Sequence, residues 1–378
     1  GIPLDLQRPA MAHEIFHAIQ DQHFDLTRML EPFSSREHGD FQLARSALIE
    51  GDATVLMIDF SLYEKNTLPK DNVRSIVDIP MMANMLKKLD YDQLGALESL
   101  GGKSGMGGTD EKSGGGEAAE KSGGTPTDLF DSALSEAPSI IRRVLIFPYL
   151  AGMRFVIALR SGRSWEEFNR VYDRPPVSTE QILHPQRYAN RDEPVMLAYE
   201  AEGVLTNYDR ISDTVLGEFQ MRLFLEHYLT GKEAPETDID PNAATRGWDG
   251  DRLLAFRRSK DRPPLLAHLS VWDSRRDARE YYEALTTVAG QRFPDASTRT
   301  ASGKYGESIC YRSTARDRAE RVYLEQWGDA VLHIEGAPTS LNESGEETDA
   351  TTYRLRDRIW ESLDRRPFRE VYEQRMAE

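Results

Sequence analysis

The sequence predicts an α+β protein, with a mainly helical amino-terminal part followed by a small α+β domain built on an antiparallel sheet. Three observations carry this prediction. Two long apolar stretches near residues 9–24 and 41–63 have helical character. After residue 245 the pattern changes to short β-type runs around one clear helix. Between Gly101 and Thr127 the composition collapses to Gly, Ser, Lys, Glu and Thr, which cannot bury a core. The expected organisation is a first domain over 1–235 interrupted by a disordered Gly/Ser-rich insertion at 101–127, an α+β domain over 245–338, and a carboxy-terminal helix over 353–378.

The elements follow in order. Residues 1–8 read as short and extended, and Arg8-Pro9 marks the start of the first helix, with proline tolerated in its first turn. That helix runs to about Phe24, and a loop with Pro32 and Gly39 follows. The second helix covers about Phe41 to Tyr63 and is apolar enough to be buried against the first. One or two further helices are expected within 73–100, and helical character returns at Ser135 to Ser161 and at Trp165 to Tyr172. Ser178 with Gln181 is a capping-box signature for a short helix stopped by Pro185. Ser212 to Leu229 is read as another helix. Strands are expected at Arg252 to Arg257, Leu265 to Trp272, Ser308 to Arg312, Arg321 to Trp327 and Ala330 to Glu335, with a helix at Arg275 to Val288. Residues 339–351 are polar, and the last helix starts near Tyr353 and bends or ends at Pro367.

With 378 residues the chain has room for two or three cores. A formal charge of −16 argues against a nucleic-acid partner and does not favour an anionic membrane surface. Cys310 is the only cysteine, which excludes an intrachain disulfide and a cysteine-based zinc knot. The longest apolar run, Val144 to Leu159, contains Pro148 and Arg154 and is too short to span a bilayer, so it is read as a buried core helix. The chain begins at Gly1 rather than Met, so any signal peptide would lie upstream. The expectation leans towards a secreted or cell-envelope setting.

The chemistry concentrates in the first helix, at His13-Glu14-Ile15-Phe16-His17. Residues four apart lie one turn apart on one helix face, so both imidazoles can reach a single metal ion. Glu14, beside the first histidine, can meet a water bound to that metal and act as general base. A catalytic zinc usually has three protein ligands and an open position. One candidate third ligand is Glu50, in Glu50-Gly51-Asp52 within the second helix. Glycine costs a helix interior about 1 kcal/mol relative to alanine, and a buried carboxylate needs a partner. Both oddities are accounted for if Gly51 allows close helix approach and Glu50 binds metal. Asp52 lies about 200° from Glu50 around the helix and cannot face the same ion, which leaves it a surface or outer-shell carboxylate. The other candidate is His23, but with an uninterrupted helix it points about 120° away from His17.

The first helix resembles the active-site helix of zincin metallopeptidases. Together with Ile49-Glu50-Gly51-Asp52-Ala53 it is similar to the gluzincin arrangement, in which a glutamate from a separate helix completes the site. His13, Glu14, His17 and His23 also fall at the metzincin spacing, but Gln20 stands where that clan has a glycine for its sharp turn. The gluzincin resemblance therefore makes His13, His17 and Glu50 the expected ligands of Zn²⁺. It implies hydrolysis of a peptide or protein substrate, with Glu14 as general base. Gluzincins of the thermolysin type also use a downstream His or Tyr to stabilise the oxyanion, and His184 and Tyr188 are the candidates for that role. His184 has a plain alternative as the residue ending a capped helix. Pro175 to Tyr188, Gly247-Trp248-Asp249-Gly250-Asp251-Arg252 and Val271-Trp272-Asp273 resemble stretches of uncharacterised bacterial proteins that carry this core. One departure stands out: only twelve residues precede His13, where zincins place a small sheet that holds the substrate backbone. Two further readings are therefore a catalytically inactive zincin-like binding or surface protein, and a hydrolase of small amides.

Overall fold

The structure, a computed structural model, describes residues 4–65, 75–88, 138–205, 207–230, 234–313, 320–337, 340–341, 347–348 and 350–377. The Gly/Ser-rich stretch 101–127 lies outside the described residues. The chain is α+β and forms two compact units, residues 1–29 with 44–176, and residues 30–43 with 177–378.

In the first unit every described element is helical: α1 (Leu4–Phe24), α2 (Leu26–Met29), α3 (Gly39–Glu64, contributing from Ala44 on), a 3₁₀ turn at Ile76–Asp78, α4 (Pro80–Lys87), α5 (Ser139–Arg160) and α6 (Trp165–Asn169). Helix α1 begins at Leu4, so Pro9 lies inside it rather than at its start. Proline there removes one backbone donor just beyond the turn whose donors are unbonded in any helix.

The core of this unit is the packing of α3 on α5. Ala44, Ala47, Leu48 and Val55 of α3 and Phe147, Met153, Phe155 and Val156 of α5 are all fully buried. At the crossing the two backbones touch. A Cβ built on Gly152 would lie 1.9 Å from the Ala47 carbonyl oxygen, and one on Gly51 would lie 2.1 Å from the Gly152 carbonyl carbon. The sequence sets Gly51 against the first helix; in the structure its close neighbour is α5.

The second unit contains α7 (Thr179–Leu183), α8 (Pro185–Asn190), β1 (Val195–Ala198), β2 (Asp209–Thr214), α9 (Gly217–Leu229), α10 (Pro241–Thr245), β3 (Trp248–Arg257), β4 (Leu265–Trp272), α11 (Arg275–Arg292), β5 (Ser297–Gly303), β6 (Gly306–Ser313), β7 (Glu320–Trp327), β8 (Ala330–Glu335), β9 (Ser340–Leu341), β10 (Glu347–Thr348), α12 (Ala350–Ser362), β11 (Asp364–Pro367) and α13 (Phe368–Ala377). Seven strands form one antiparallel sheet in the order β2-β3-β4-β8-β7-β6-β5. Alternation along the strands gives the sheet two buried faces. Leu265, Ala267, Leu269, Leu332 and Ile334 pack with Leu355, Ile359 and Trp360 of α12. Val322, Leu324, Val331 and Trp272 pack with Tyr281, Leu285 and Val288 of α11.

Several sequence expectations change here. The stretch read as one helix over Ser212 to Leu229 is strand β2 followed by α9. Gly217, at φ +76°, marks the change, because that left-handed conformation is open to glycine and closed to a continuing helix of other residues. Met221, Leu225 and Leu229 of α9 share a core with Trp248 and Trp272 of the sheet. Compactness therefore divides the chain at 176/177 and not near 235–245. Ser178 caps α7 by accepting from Gln181 N, but Gln181 Oε1 accepts from Val177 N rather than closing the box on Ser178. Pro185 ends no chain direction; it is the first residue of α8. Strand β5 is exposed along its whole length and has no apolar alternation to betray it. Among the described residues no helix is long and apolar enough to cross a membrane.

Gly51→Ala tests the helix crossing. Alanine adds helix propensity of about 1 kcal/mol, but overpacking costs about 1–3 kcal/mol. We expect a lower urea midpoint than wild type, and a midpoint at or above wild type would refute the backbone contact.

Candidate metal centre

His13 and His17 stand one turn apart on α1, and Glu50 reaches them from α3. Glu50 Oε2 lies 3.1 Å from His13 Nε2 and 3.3 Å from His17 Nε2, and the two Nε2 atoms are 3.0 Å apart. A tetrahedral zinc with bonds of about 2.0–2.1 Å separates its donors by roughly 3.3–3.4 Å. The triangle observed is close to one face of that tetrahedron. Among the described residues this is the one group of three or more His, Cys, Asp or Glu whose donor atoms fall within 4.8 Å of one another. Two imidazole nitrogens and a carboxylate oxygen are also donors that suit zinc.

The electrostatics favour a cation. Burial opposes ionisation of Glu50, but the hydrogen bonds from His13 and His17 hold its carboxyl down at about 2. The His17 imidazole is raised above its ordinary value, first by its hydrogen bond to Glu50 against the cost of burial, then by Gln20 and by the charges of Glu50 and Glu14. The side chains of His17 and Glu50 are 22 % and 24 % exposed, against 9 % for His13, so the group opens to solvent on the His17–Glu50 side.

The two ligand histidines are held differently. His17 Nδ1 is 2.8 Å from Gln20 Oε1. Among the described residues His13 Nδ1 is buried with no hydrogen-bond partner, and the Tyr149 ring of α5 stacks on its imidazole at 6.1 Å and 26°. Tyr149 is half-buried, and its hydroxyl is raised to about 12 by burial, then by the Glu50 and Glu14 charges and by a hydrogen bond with Glu50. A phenol so placed keeps its proton at neutral pH.

Of the residues singled out in the sequence, the structure brings together His13, His17 and Glu50. Glu14 is exposed on the same helix, close enough that its charge acts on both His17 and Tyr149. Helix α1 continues unbroken through Gln20, and His23 is exposed against Phe24 at 6.1 Å, outside the group. Asp52 is buried rather than on the surface. It accepts from Tyr172 Oη at 2.7 Å and from Gln20 Nε2 at 3.4 Å, and burial raises it to about 6. His184 and Tyr188 belong to the second unit, where His184 joins α7 to α8 and places Nε2 2.9 Å from Oε1 of the buried Glu218. Sequence reasoning missed Tyr149, which was hidden in an apolar run, and missed the role of Gln20, although its departure from the metzincin glycine was a visible signal.

Residues 204–375 match the model of a family described as a domain of unknown function, DUF8575. A search of curated proteins and one of solved structures each return no match. The matched stretch falls within the second unit and includes none of His13, His17 or Glu50.

Zinc content measured by elemental analysis should be about one ion per chain in wild type and fall well below that in Glu50→Ala. Equal content in both proteins would remove Glu50 from the group. Protons and metal compete for His17 Nε2. Because the His17 pKa is raised, zinc affinity in a chelator competition is expected to be highest above neutral pH and to fall as the solution is acidified.

Proposed function

We propose that this protein is a zinc-dependent metallopeptidase, with His13, His17 and Glu50 holding the metal and Glu14 serving as general base. The observation that carries the reading is the convergence of three zinc-type donors to within 3.0–3.3 Å of one another beside an exposed carboxylate on the helix that holds two of them. The resemblance of these residues to the gluzincin pattern supports it. When bound, zinc supplies Lewis acidity that polarises a carbonyl and makes water more acidic.

The chain's own groups account for the proton transfers. Glu14 takes a proton from the attacking water as oxygen bonds to the carbonyl carbon. It then returns that proton to the nitrogen as the C–N bond breaks, so that it finishes ionised as it began. Tyr149 keeps its proton at neutral pH and hydrogen-bonds Glu50 in the metal-free protein; in the reaction its hydroxyl would turn from that carboxylate to donate to the oxyanion. That is the role for which the sequence offered His184 and Tyr188. Glu50 is already ionised in the metal-free protein, where hydrogen bonds from its two histidine partners hold it so.

A second reading, a zincin-like protein that binds rather than cleaves, draws on a different observation. Met11, Ile15 and Ile19 form an exposed apolar stripe along α1 at helical spacing, 51 %, 58 % and 44 % exposed. Its angular position, by helix geometry, is opposite the metal-facing side.

Glu14→Gln should keep zinc and lose about 10²–10⁴-fold in peptide cleavage. Tyr149→Phe should keep zinc and lower kcat by about 10²–10³-fold with little change in KM. Undiminished turnover in Glu14→Gln would sink the mechanism. A broad peptide library left uncut by the zinc-loaded wild-type protein would favour the binding reading.

A further inference from the structure

The seven-stranded sheet of the second unit ends on two very different edges. Strand β2, at one end, is guarded in the ways natural sheet edges are. It carries Asp209, Arg210 and Asp213, its ladder with β3 slips between Arg210 and Ser212, and its last three residues are partly buried. Strand β5, at the other end, has none of these guards. Its seven residues, Ser297-Thr298-Arg299-Thr300-Ala301-Ser302-Gly303, are all exposed, include one charge and no proline, and pair with β6 in unbroken register. None of them belongs to the core on either face of the sheet. Strand β6 therefore holds β5 along one edge only.

The turn between them fixes which backbone groups of β5 face β6. Gly303 and Gly306 are partners across the two-residue turn Lys304-Tyr305, and the pair that closes such a turn exchanges its own N–H and C=O groups. Hydrogen-bonded and non-hydrogen-bonded pairs then alternate along an antiparallel ladder. Ser297, Arg299, Ala301 and Gly303 thus turn their backbone groups to β6, and Thr298, Thr300 and Ser302 turn theirs outward. A second β5 running antiparallel can use all three outward residues in one register alone, the one centred on Thr300. That register sets Thr300 opposite Thr300, Thr298 opposite Ser302 and Arg299 opposite Ala301. Hydroxyls face hydroxyls, a favourable cross-strand pairing, and no charge directly faces its like. The flanks are complementary as well. Exposed Asp295 precedes β5 and exposed Lys304 follows it, so antiparallel pairing brings Asp295 of each copy to the Lys304 end of the other.

We propose that β5 is a homodimer interface, pairing edge to edge with β5 of a second copy about a twofold axis at Thr300 and joining two seven-stranded sheets into one. A twofold interface needs a single patch that complements itself, and the outward edge of β5 is such a patch. Its affinity comes from main-chain hydrogen bonds, as in other cases of strand addition. A contact confined to one strand is small beside the ~1,600 Å² of a standard interface, which makes the dimer concentration-dependent.

Sedimentation equilibrium of the full chain tests this. The mass should rise towards twice the monomer's between micromolar and millimolar concentration. Thr300→Pro removes an N–H that points outward, where an edge strand tolerates proline; it should stay monomeric with the wild-type circular dichroism spectrum. Cross-linking reads the register. Residues of a hydrogen-bonded pair have Cα atoms about 5.5 Å apart, within disulfide range, so Thr300→Cys should form a disulfide-linked dimer under mild oxidation. Thr298→Cys, roughly 14 Å from its own copy in this register, should not. The chain's own cysteine, Cys310, is buried. A wild type that stays monomeric throughout overturns the proposal, and so does a dimer that persists in folded Thr300→Pro. Cross-linking of Thr298→Cys in preference to Thr300→Cys also overturns it. If Thr300→Pro does not fold, the two cysteine variants decide.

Discussion

The first unit depends on the place where α3 and α5 meet with no side chain between them. Gly51 and Gly152 let the backbones come within contact distance, nearer than the 8–10 Å separation of helices packed through larger side chains. Residues on either side of that crossing are then fixed by it. Glu50 precedes Gly51, and Tyr149 lies one turn before Gly152, so the same contact sets a carboxylate and a phenol beside His13. The helix penalty for a glycine interior is accepted where it permits this approach.

Around that crossing, charge is managed by pairing. Glu50 is partly buried and remains ionised because two imidazoles bond to it. The neighbouring carboxylate, two residues further along α3, behaves in the opposite way. Asp52 is more deeply buried, has hydroxyl and amide partners instead of imidazoles, and is pushed up to about 6 by burial. The distinction follows from the helical rotation between them, which sends Glu50 towards the histidines and Asp52 towards Gln20 and Tyr172. One carboxylate is suited to hold a cation, and the other to hold an amide in place.

The second unit shows a comparable economy in its interior. Asp251, 1 % exposed on β3, accepts from the backbone N–H groups of Leu216 and Gly217, from Trp248 Nε1 and from His268. A single strand carboxylate thereby caps the start of α9, whose first donors have no partner within the helix. This tie, with the apolar face of α9 packed on Trp248 and Trp272, is why the helix joins the sheet's unit although the sequence pattern assigned it to the preceding domain.

The sequence by itself determined the α+β class, most strands of the sheet, the two long helices of the first unit and the spacing of His13, Glu14 and His17, because each depends on local periodicity. It also marked Glu50 through an adjoining glycine that a helix interior disfavours. The strand over 209–214 was missed because its apolar content is low and its partner β3 lies some forty residues away in the sequence, and the exposed β5 carried no alternation at all. Only the tertiary structure decided that Gly51 meets Gly152 rather than the first helix, that Tyr149 stacks on His13, and that Gln20 takes the Nδ1 of His17. Each of these joins residues distant in sequence, or depends on a side-chain orientation that several elements must fix together. Helical spacing can place two histidines on one face, but what meets each ring nitrogen is set by the elements the fold brings beside it.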